Sequence, residues 1–554
     1  MRSAIFDLCD EYITRSSDLD PVVATMRGVA DPTGQRPDGT DYGPDGIEAR
    51  VELIRETLRR LEGLRPVDDR DRAAAAHLAE RLQVRLTEHE AGDSYRRLSA
   101  PFGLIQTVRN SPEMMPRRDQ DDWHAIARRL RAIPEMLRSW QRSLQVGLDR
   151  GVLAARRQAV EGARQADRYA GLEEAAPTYD GLLAGYGDGP IRTELEDAAR
   201  VAHGAFQAIA KFLRTEYAPR APRADGVGAE RYAVGSRLSL GARIDQREAY
   251  QWGWEELHRI EREVAAEVQR LRPGGTLPEV VAELARSEVL RDPDAYRAWL
   301  QDRHDEAITR MDGVHIDLAP ELRTIEATLA FGSSAGAPYY TGPSEDHTRP
   351  GRTWWPIGNR DRFETWRELT TVFHEGVPGH HLQSGTVKVA ADRLSRFTRM
   401  SQISGYGEGW ALYAERLADE LGWFEPRGSR LGMLQASAMR AARVVIDIGL
   451  HLDLPLPATE AVRHGERWTF EVACDVLENR GGAASHRVHP EVVRYCGWPG
   501  QAPSYKLGER AWLAAREEAQ RRHGAEFDLK RWHNDALNLG PIGLETLTEQ
   551  LGHL

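Results

Sequence analysis

Residues 374–381 read His-Glu-Gly-Val-Pro-Gly-His-His. No other stretch constrains the local fold as tightly. The residues before it, from Asp361 to Glu375, follow a helical pattern in which Trp366, Leu369, Phe373 and Val377 recur as one apolar stripe. Pro378 cannot continue that helix undisturbed, because it has no amide hydrogen and its ring meets the carbonyl one turn back. Gly379 relaxes the backbone further. The expectation is a helix that delivers His374 and Glu375, a break at Pro378-Gly379, and two histidines directly after the break.

Those residue types suit a metal ion. A helix that carries His-Glu and is followed by another His can hold Zn²⁺ between two imidazoles, while the Glu serves as base toward water. The usual spacing is His-Glu-x-x-His, because i and i+4 lie about 40° apart and one turn along the axis. Here the i+4 position is Pro378, which has no ligand atom. On an ideal helix His381, at i+7, keeps the azimuth but lies about 10 Å along the axis. His380, at i+6, points about 120° away. Only a distorted segment lets either share an ion with His374. Excising Pro378-Gly379 restores His-Glu-Gly-Val-His and favours His380 as the second histidine, with His381 open as the alternative. The bland reading is a helix end whose histidines act only as caps.

Helical periodicity dominates elsewhere. Leu53, Ile54, Leu58 and Leu61 repeat at helical spacing, as do Ile126, Leu130, Ile133 and Leu137, and then Trp254, Leu257, Ile260, Val264 and Val268. Residues up to about 30 read as one helix. Residues 31–46 and 171–190 carry Gly and Pro and read as breaks. Arg231 to Ile244 is less regular, and 480–505 reads as irregular. Val314–Leu318 and Arg352–Ile357 have strand composition with turn residues between them. The second of these is a candidate edge strand for holding a peptide by main-chain hydrogen bonds. The expected fold is mainly α, many-helical, with a small β-sheet beside the helix that carries His374. Residues 1–312 form an N-terminal helical region that walls the cleft, and 313–554 form the zinc-binding catalytic region.

Composition excludes several classes. The 554 residues carry a formal net charge of −11, with 29% charged residues of both signs interspersed. A nucleic-acid partner would need a concentrated basic face. No run approaches the ~18 apolar residues of a membrane span. Acidic residues occupy the N-terminus where an export signal needs an apolar core. Cys9, Cys474 and Cys496 are too scattered for a disulfide framework. A cytoplasmic location, without nucleic-acid or membrane partners, is the expectation.

A second motif follows, Glu408-Gly-Trp-Ala-Leu-Tyr-Ala-Glu415, on a helix with Leu412, Leu417 and Leu421 along its apolar side and Gly422 placed as a cap. A third is Pro499-Gly-Gln-Ala-Pro-Ser-Tyr505-Lys506. With 374–381, these motifs resemble the domain-of-unknown-function family 885 over nearly the whole chain. The resemblance implies one continuous family domain, a branch of the Glu-ligated zinc peptidases, and a zincin-like metallopeptidase fold distantly similar to thimet-type oligopeptidases. In those enzymes a metal-binding Glu is followed seven positions later by another acidic residue, and Glu408 and Glu415 repeat that spacing. The resemblance therefore implies one Zn²⁺ per chain on His374, His380 (or His381) and Glu408, with Glu415 orienting a ligand histidine. The Pro-Gly insertion departs from the thimet-type pattern.

Related zinc peptidases use His and Tyr side chains from C-terminal segments to meet the charge that develops on the carbonyl oxygen. Two candidates answer that description. Arg443, Asp447 and His451 recur every fourth residue on one helix face, with His451 as donor and Asp447 fixing its tautomer or pairing with Arg443. Tyr505 is the other donor. Arg443, Arg494 and Lys506 are candidates for binding a substrate carboxylate. The expected reaction has Glu375 take a proton from zinc-activated water, which attacks an amide carbonyl, and then protonate the leaving amine. Short peptides are the first substrate expectation. A particular small amide or an aminoacyl or peptidyl intermediate is the second, and a catalytically silent zinc protein that binds peptides is the third.

Overall fold

The computed structural model describes residues 3–31, 33–172, 178–330, 337–344, 349–460 and 463–552. The fold is mainly helical and divides into two compact units. The first comprises Met1–Gly235, Leu450–Pro455 and His486–Pro499; the second comprises Ser236–Gly449, Leu456–Ser485 and Gly500–Leu554. The boundary expected at 312 falls inside the second unit.

In the first unit the helices Gln120–Arg150, Arg156–Tyr169 and Arg192–Phe212 share one core. Ile126, Leu130, Ile133 and Leu137 all lie in it with Phe206 and Ile209, and each such side chain contributes about 1.5–3 kcal/mol by leaving water. Asp119 starts the longest of these helices by accepting from Asp122 N, and Gly151 ends it in the left-handed region at φ 68°. The N-terminal helix is split in two, Ala4–Leu19 and Pro21–Arg27. Asp20 caps the second piece, and Pro21 sits at a first-turn position that its missing N–H suits.

Two segments read as irregular are helical, Ala229–Leu240 and Ser485–Gly497. In the latter, Val488, Val492 and Cys496 recur every fourth residue and are buried; the Gly and Pro pairs that flank this stripe obscure it in the sequence. Within the break expected at 171–190, Asp180–Tyr186 is a short helix, and residues 173–177 lie outside the described residues.

In the second unit Asp245 caps the helix Gln246–Leu271, whose Trp254, Leu257, Ile260 and Val268 are buried. Leu277–Ser287 and Pro293–Met311 follow as a pair. Val268, Val280, Leu284, Trp366 and Leu431 make a core against which the helix Thr365–Glu375 rests. That helix starts later than expected, because Phe363-Glu364 pair as a short strand with Val289-Leu290, and Phe363 stacks on Tyr296 at 4.2 Å.

The larger sheet has Gly351–Pro356 in the middle, parallel to Ile325–Ala330 and antiparallel to Tyr339–Thr341. It is therefore not the edge strand expected: both sides are already paired. Val314–Leu318 is not a strand either. The amides of Gly313, Val314 and His315 turn back on Ile316 O and Met311 O, leaving one isolated bridge between Asp312 and Ile316. Of the turn residues expected between the two segments, 331–336 and 345–348 lie outside the described residues. No helix of the described residues is long and apolar enough to cross a membrane.

Candidate metal centre

The helix Thr365–Glu375 stops just before the Pro-Gly pair. Gly376 N still donates to Val372 O at 2.8 Å, Gly379 N reaches back to Phe373 O at 3.0 Å, and a new helix runs from His380 to Val389. A Cβ on Gly379 would stand 2.0 Å from His374 O, and one on Gly376 would stand 2.4 Å from His304 Nδ1. Neither position has room for a side chain. The restart turns His380 back toward His374, with ring centroids 4.9 Å apart and planes at 87°.

Glu408 arrives on the helix Ser404–Glu420. This helix packs almost backbone to backbone against Ser504–His523: a Cβ on Gly409 would lie 2.5 Å from Gly508 Cα, and one on Gly508 would lie 2.2 Å from Gly405 O. The result is a carboxylate oxygen, Glu408 Oε2, at 3.4 Å from His374 Nε2 and 3.5 Å from His380 Nε2. The three ligand atoms all lie within 4.8 Å of one another. Glu408 Oε2 is buried with no hydrogen-bond partner among the described residues. Donors held about 2.0–2.1 Å from a tetrahedral ion stand about 3.3 Å apart, close to the spacing here. The orphaned oxygen, the spacing and a donor set of two imidazoles and one carboxylate fit zinc.

Further side chains hold these residues in place. Glu415, two turns beyond Glu408, accepts from His374 Nδ1 at 2.7 Å, and the Thr370 hydroxyl donates to its other oxygen. With Nδ1 committed to Glu415, His374 presents Nε2 to Glu408. Burial pulls the His374 pKa down, but the carboxylates of Glu408 and Glu415 outweigh it and hold it at about 9. Glu408 is pushed up by burial, yet the two imidazoles bring it well below the usual carboxylate range. Glu415 is also lowered, with burial opposed by Arg440 and His374. Glu375 is 7% exposed, and burial raises its pKa against the pull of His374 and His380. Glu375, Glu408 and Glu415 thus bring three buried carboxyl groups to two imidazoles.

His381, one residue beyond His380, is turned elsewhere. The Tyr340 hydroxyl donates to its Nδ1 at 3.0 Å, and its Nε2 donates to Leu322 O at 2.9 Å. Both ring nitrogens are committed, and burial pushes its pKa down to about 4. Arg443 lies over the Tyr505 ring at 5.1 Å, and Asp447 Oδ2 accepts from Gly500 N at 2.9 Å. Lys506 is 1% exposed and ion-paired with Glu256 at 2.7 Å and with Glu509, an internal network. His451 and Arg494 belong to the first unit. There His451 Nε2 donates to Tyr495 O at 3.0 Å, with burial holding its pKa down to about 4, and Arg494 pairs with Glu491 at 2.9 Å.

Two residues beside the cluster escaped the sequence reading. Thr370 lies one turn before His374 on the same helix face, so it meets the same carboxylate, and that spacing was available as a signal. Arg440 places its guanidinium 3.4 Å from Glu415 Oε1; nothing in its local pattern marked it.

Residues 21–551 match the family described as "Bacterial protein of unknown function (DUF885)", and the chain belongs to that family. A crystal structure described as "the putative lipoprotein from Colwellia psychrerythraea" superposes with a TM-score of 0.85 at 21% identity, covering 99% of this chain and 98% of that one. A "putative lipoprotein of unknown function from Shewanella oneidensis" superposes at 0.75 with 16% identity, over 99% of this chain and 100% of that one. These likenesses establish a shared fold. No curated protein matches the sequence.

Proposed function

We propose that this DUF885 chain is a zinc-dependent hydrolase of amide bonds, a metallopeptidase of zincin-like fold that acts on short peptides. The observation that carries the reading is the convergence of His374 Nε2, His380 Nε2 and the orphaned Glu408 Oε2, with Glu375 next to the first of them in sequence. Zinc held there would supply an acidified water and polarise the substrate carbonyl. Glu375 is buried and has a raised proton affinity, which suits a carboxylate that takes a proton from water and returns it to the leaving amine. Glu415 and Thr370 hold His374 in the tautomer that presents Nε2. Tyr505, in the same unit, is the proposed donor to the carbonyl oxygen.

Metal analysis of the purified chain, followed by a broad peptide library, tests this. The expected result is one zinc per chain and cleavage of many unrelated peptides, with Glu375→Gln retaining zinc and losing turnover. Full activity in that variant would remove Glu375 from the base role. Silence on peptides with turnover of one small amide would narrow the substrate to that amide. Tight peptide binding without any product would overturn the hydrolase reading. A cytoplasmic site of action is part of the same proposal and rests on the sequence, whose three cysteines, Cys9, Cys474 and Cys496, are too few and too scattered for a disulfide framework. Fractionation checks it; recovery with membranes would instead follow the lipoprotein description of the solved neighbours.

A further inference from the structure

We propose that Arg440 is the anion anchor of this site and receives a carboxylate of the substrate, so that the preferred peptides carry a free carboxylate close to the bond cleaved. This deepens the hydrolase reading and rests on it for the word substrate, but the binding claim stands on the arginine alone.

Arg440 lies on the helix Ser429–His451, and its side chain is 12% exposed. An arginine held that deeply is normally forked onto a carboxylate, because its planar guanidinium carries five donors and loses its hydration on burial. Two other arginines of the same unit obey that rule, whereas Arg416 meets Glu263 and Asp419 through one nitrogen. Arg480 forks onto Glu261 through bonds of 2.5 and 2.9 Å, and Arg516 forks onto Glu420 through two bonds of 2.9 Å.

Arg440 is different. Among the described residues its charged partner is Glu415, at 3.4 Å through a single nitrogen; its Nε is buried without a hydrogen-bond partner, as is that of Arg516, but Arg516 has its fork on Glu420 and Arg440 has none. Glu415 has no fork to give. One of its oxygens is taken by His374 Nδ1 at 2.7 Å and the other by the Thr370 hydroxyl. The guanidinium is therefore anchored by charge with most of its donors unspent, beside the residues that converge on the candidate metal.

The charge is placed where an anionic substrate needs it. The carboxyl groups of Glu375, Glu408 and Glu415 oppose an incoming carboxylate, and Arg440 is a permanent cation that acts on Glu375 and Glu415 beside the titratable His374. Arg443, one turn along the same helix, already lies over Tyr505. A planar carboxylate matches the guanidinium fork in both shape and charge. It can come from the peptide's C-terminus or from an acidic side chain.

Calorimetric titration of the purified, metal-bearing protein distinguishes these cases. The probes are N-acetyl-trialanine, its C-terminal amide, and the same amide with aspartate as the last residue. The free acid, or the aspartyl amide, is expected to bind about tenfold or more tightly than the neutral amide. Which of the two does so identifies the source of the carboxylate. Arg440→Gln is expected to abolish the difference, with zinc content unchanged. Equal binding of all three probes by the natural protein overturns the proposal, as does a preference that survives in Arg440→Gln.

Should that variant fail to fold, Arg440→Lys keeps the charge facing Glu415 without the fork. It is expected to weaken the acid alone, and unchanged acid affinity would overturn forked recognition. Acid-selective binding without hydrolysis would sink the proposed activity and leave the arginine's role standing.

Discussion

The indole N–H of Trp410 donates to Pro378 O at 2.8 Å. Trp410 stands two residues after Glu408, and Pro378 two residues before His380. One buried hydrogen bond thus joins the helix that supplies the carboxylate to the backbone break that turns the second histidine inward.

Trp410→Phe keeps an aromatic ring in a fully buried position but removes the donor together with part of the ring volume that packs on Tyr413 and Trp512. Pro378 O loses its partner, at a cost of about 1–3 kcal/mol for a buried group left unsatisfied. Denaturant unfolding should show that loss. Zinc affinity should fall with it, because His380 is no longer fixed against Glu408. Unchanged affinity in a destabilised variant would mean that the helix restart positions His380 without help.

Glu415→Gln leaves all three ligand atoms in place. It removes the charge that holds His374 Nδ1–H at 2.7 Å. Zinc affinity is expected to drop about 10–100-fold, measured by competition with a chelating dye. Thr370→Val, which removes one hydrogen bond to the same carboxylate, should move affinity the same way by less. If Glu415→Gln bound zinc like the natural protein, the carboxylate would have no part in orienting the ligand.

Acid should destabilise the fold through its buried neutral histidines. Burial pushes His533 down to about 3; its Nε2 lies 2.6 Å from the Tyr413 hydroxyl. His304 is likewise pushed down to about 3 by burial. A histidine in the unfolded chain takes a proton near pH ~6.5. Between that value and about 3, the unfolded chain binds protons that the folded chain refuses. The stabilisation is complete above pH ~6.5 and is lost as pH falls, by up to about 1.4 kcal/mol per pH unit for each such histidine. Urea unfolding across this range checks the slope, and His533→Gln should make it shallower. An identical slope would take His533 out of the account.

Lys506 distinguishes a structural from a substrate-binding role. Replacing it with Met leaves Glu256 and Glu509 without their buried cation. Removing one partner of a buried ion pair costs about 3–5 kcal/mol, so Lys506→Met should unfold at much lower denaturant while keeping its zinc content. Preserved stability with a raised KM for anionic peptides would instead place Lys506 at the substrate.

The helices were legible where burial repeats at one period. The stripe through Ile126, Leu130, Ile133 and Leu137 is such a case, as is Trp254 to Val268. Strands were harder to read. Arg352–Ile357 has a partner on each side, whereas the similarly composed Val314–Leu318 closes into a local turn. Strand composition describes a pleated, half-buried surface, and pairing depends on neighbours distant in sequence.

At the site, the sequence by itself determined that the helix through His374 has to give way at Pro378-Gly379. A proline has no N–H to donate and its ring meets the carbonyl one turn back, and the glycine after it loosens the backbone further. Only the tertiary structure decided which histidine turns back. His380 and His381 are neighbours on the restarted helix, so they point about 100° apart. Local pattern cannot rank them. What ranks them is what each meets: Glu408 for His380, and the Tyr340 hydroxyl and Leu322 carbonyl for His381. Those partners come from a helix, a strand and a turn that the chain brings together only on folding.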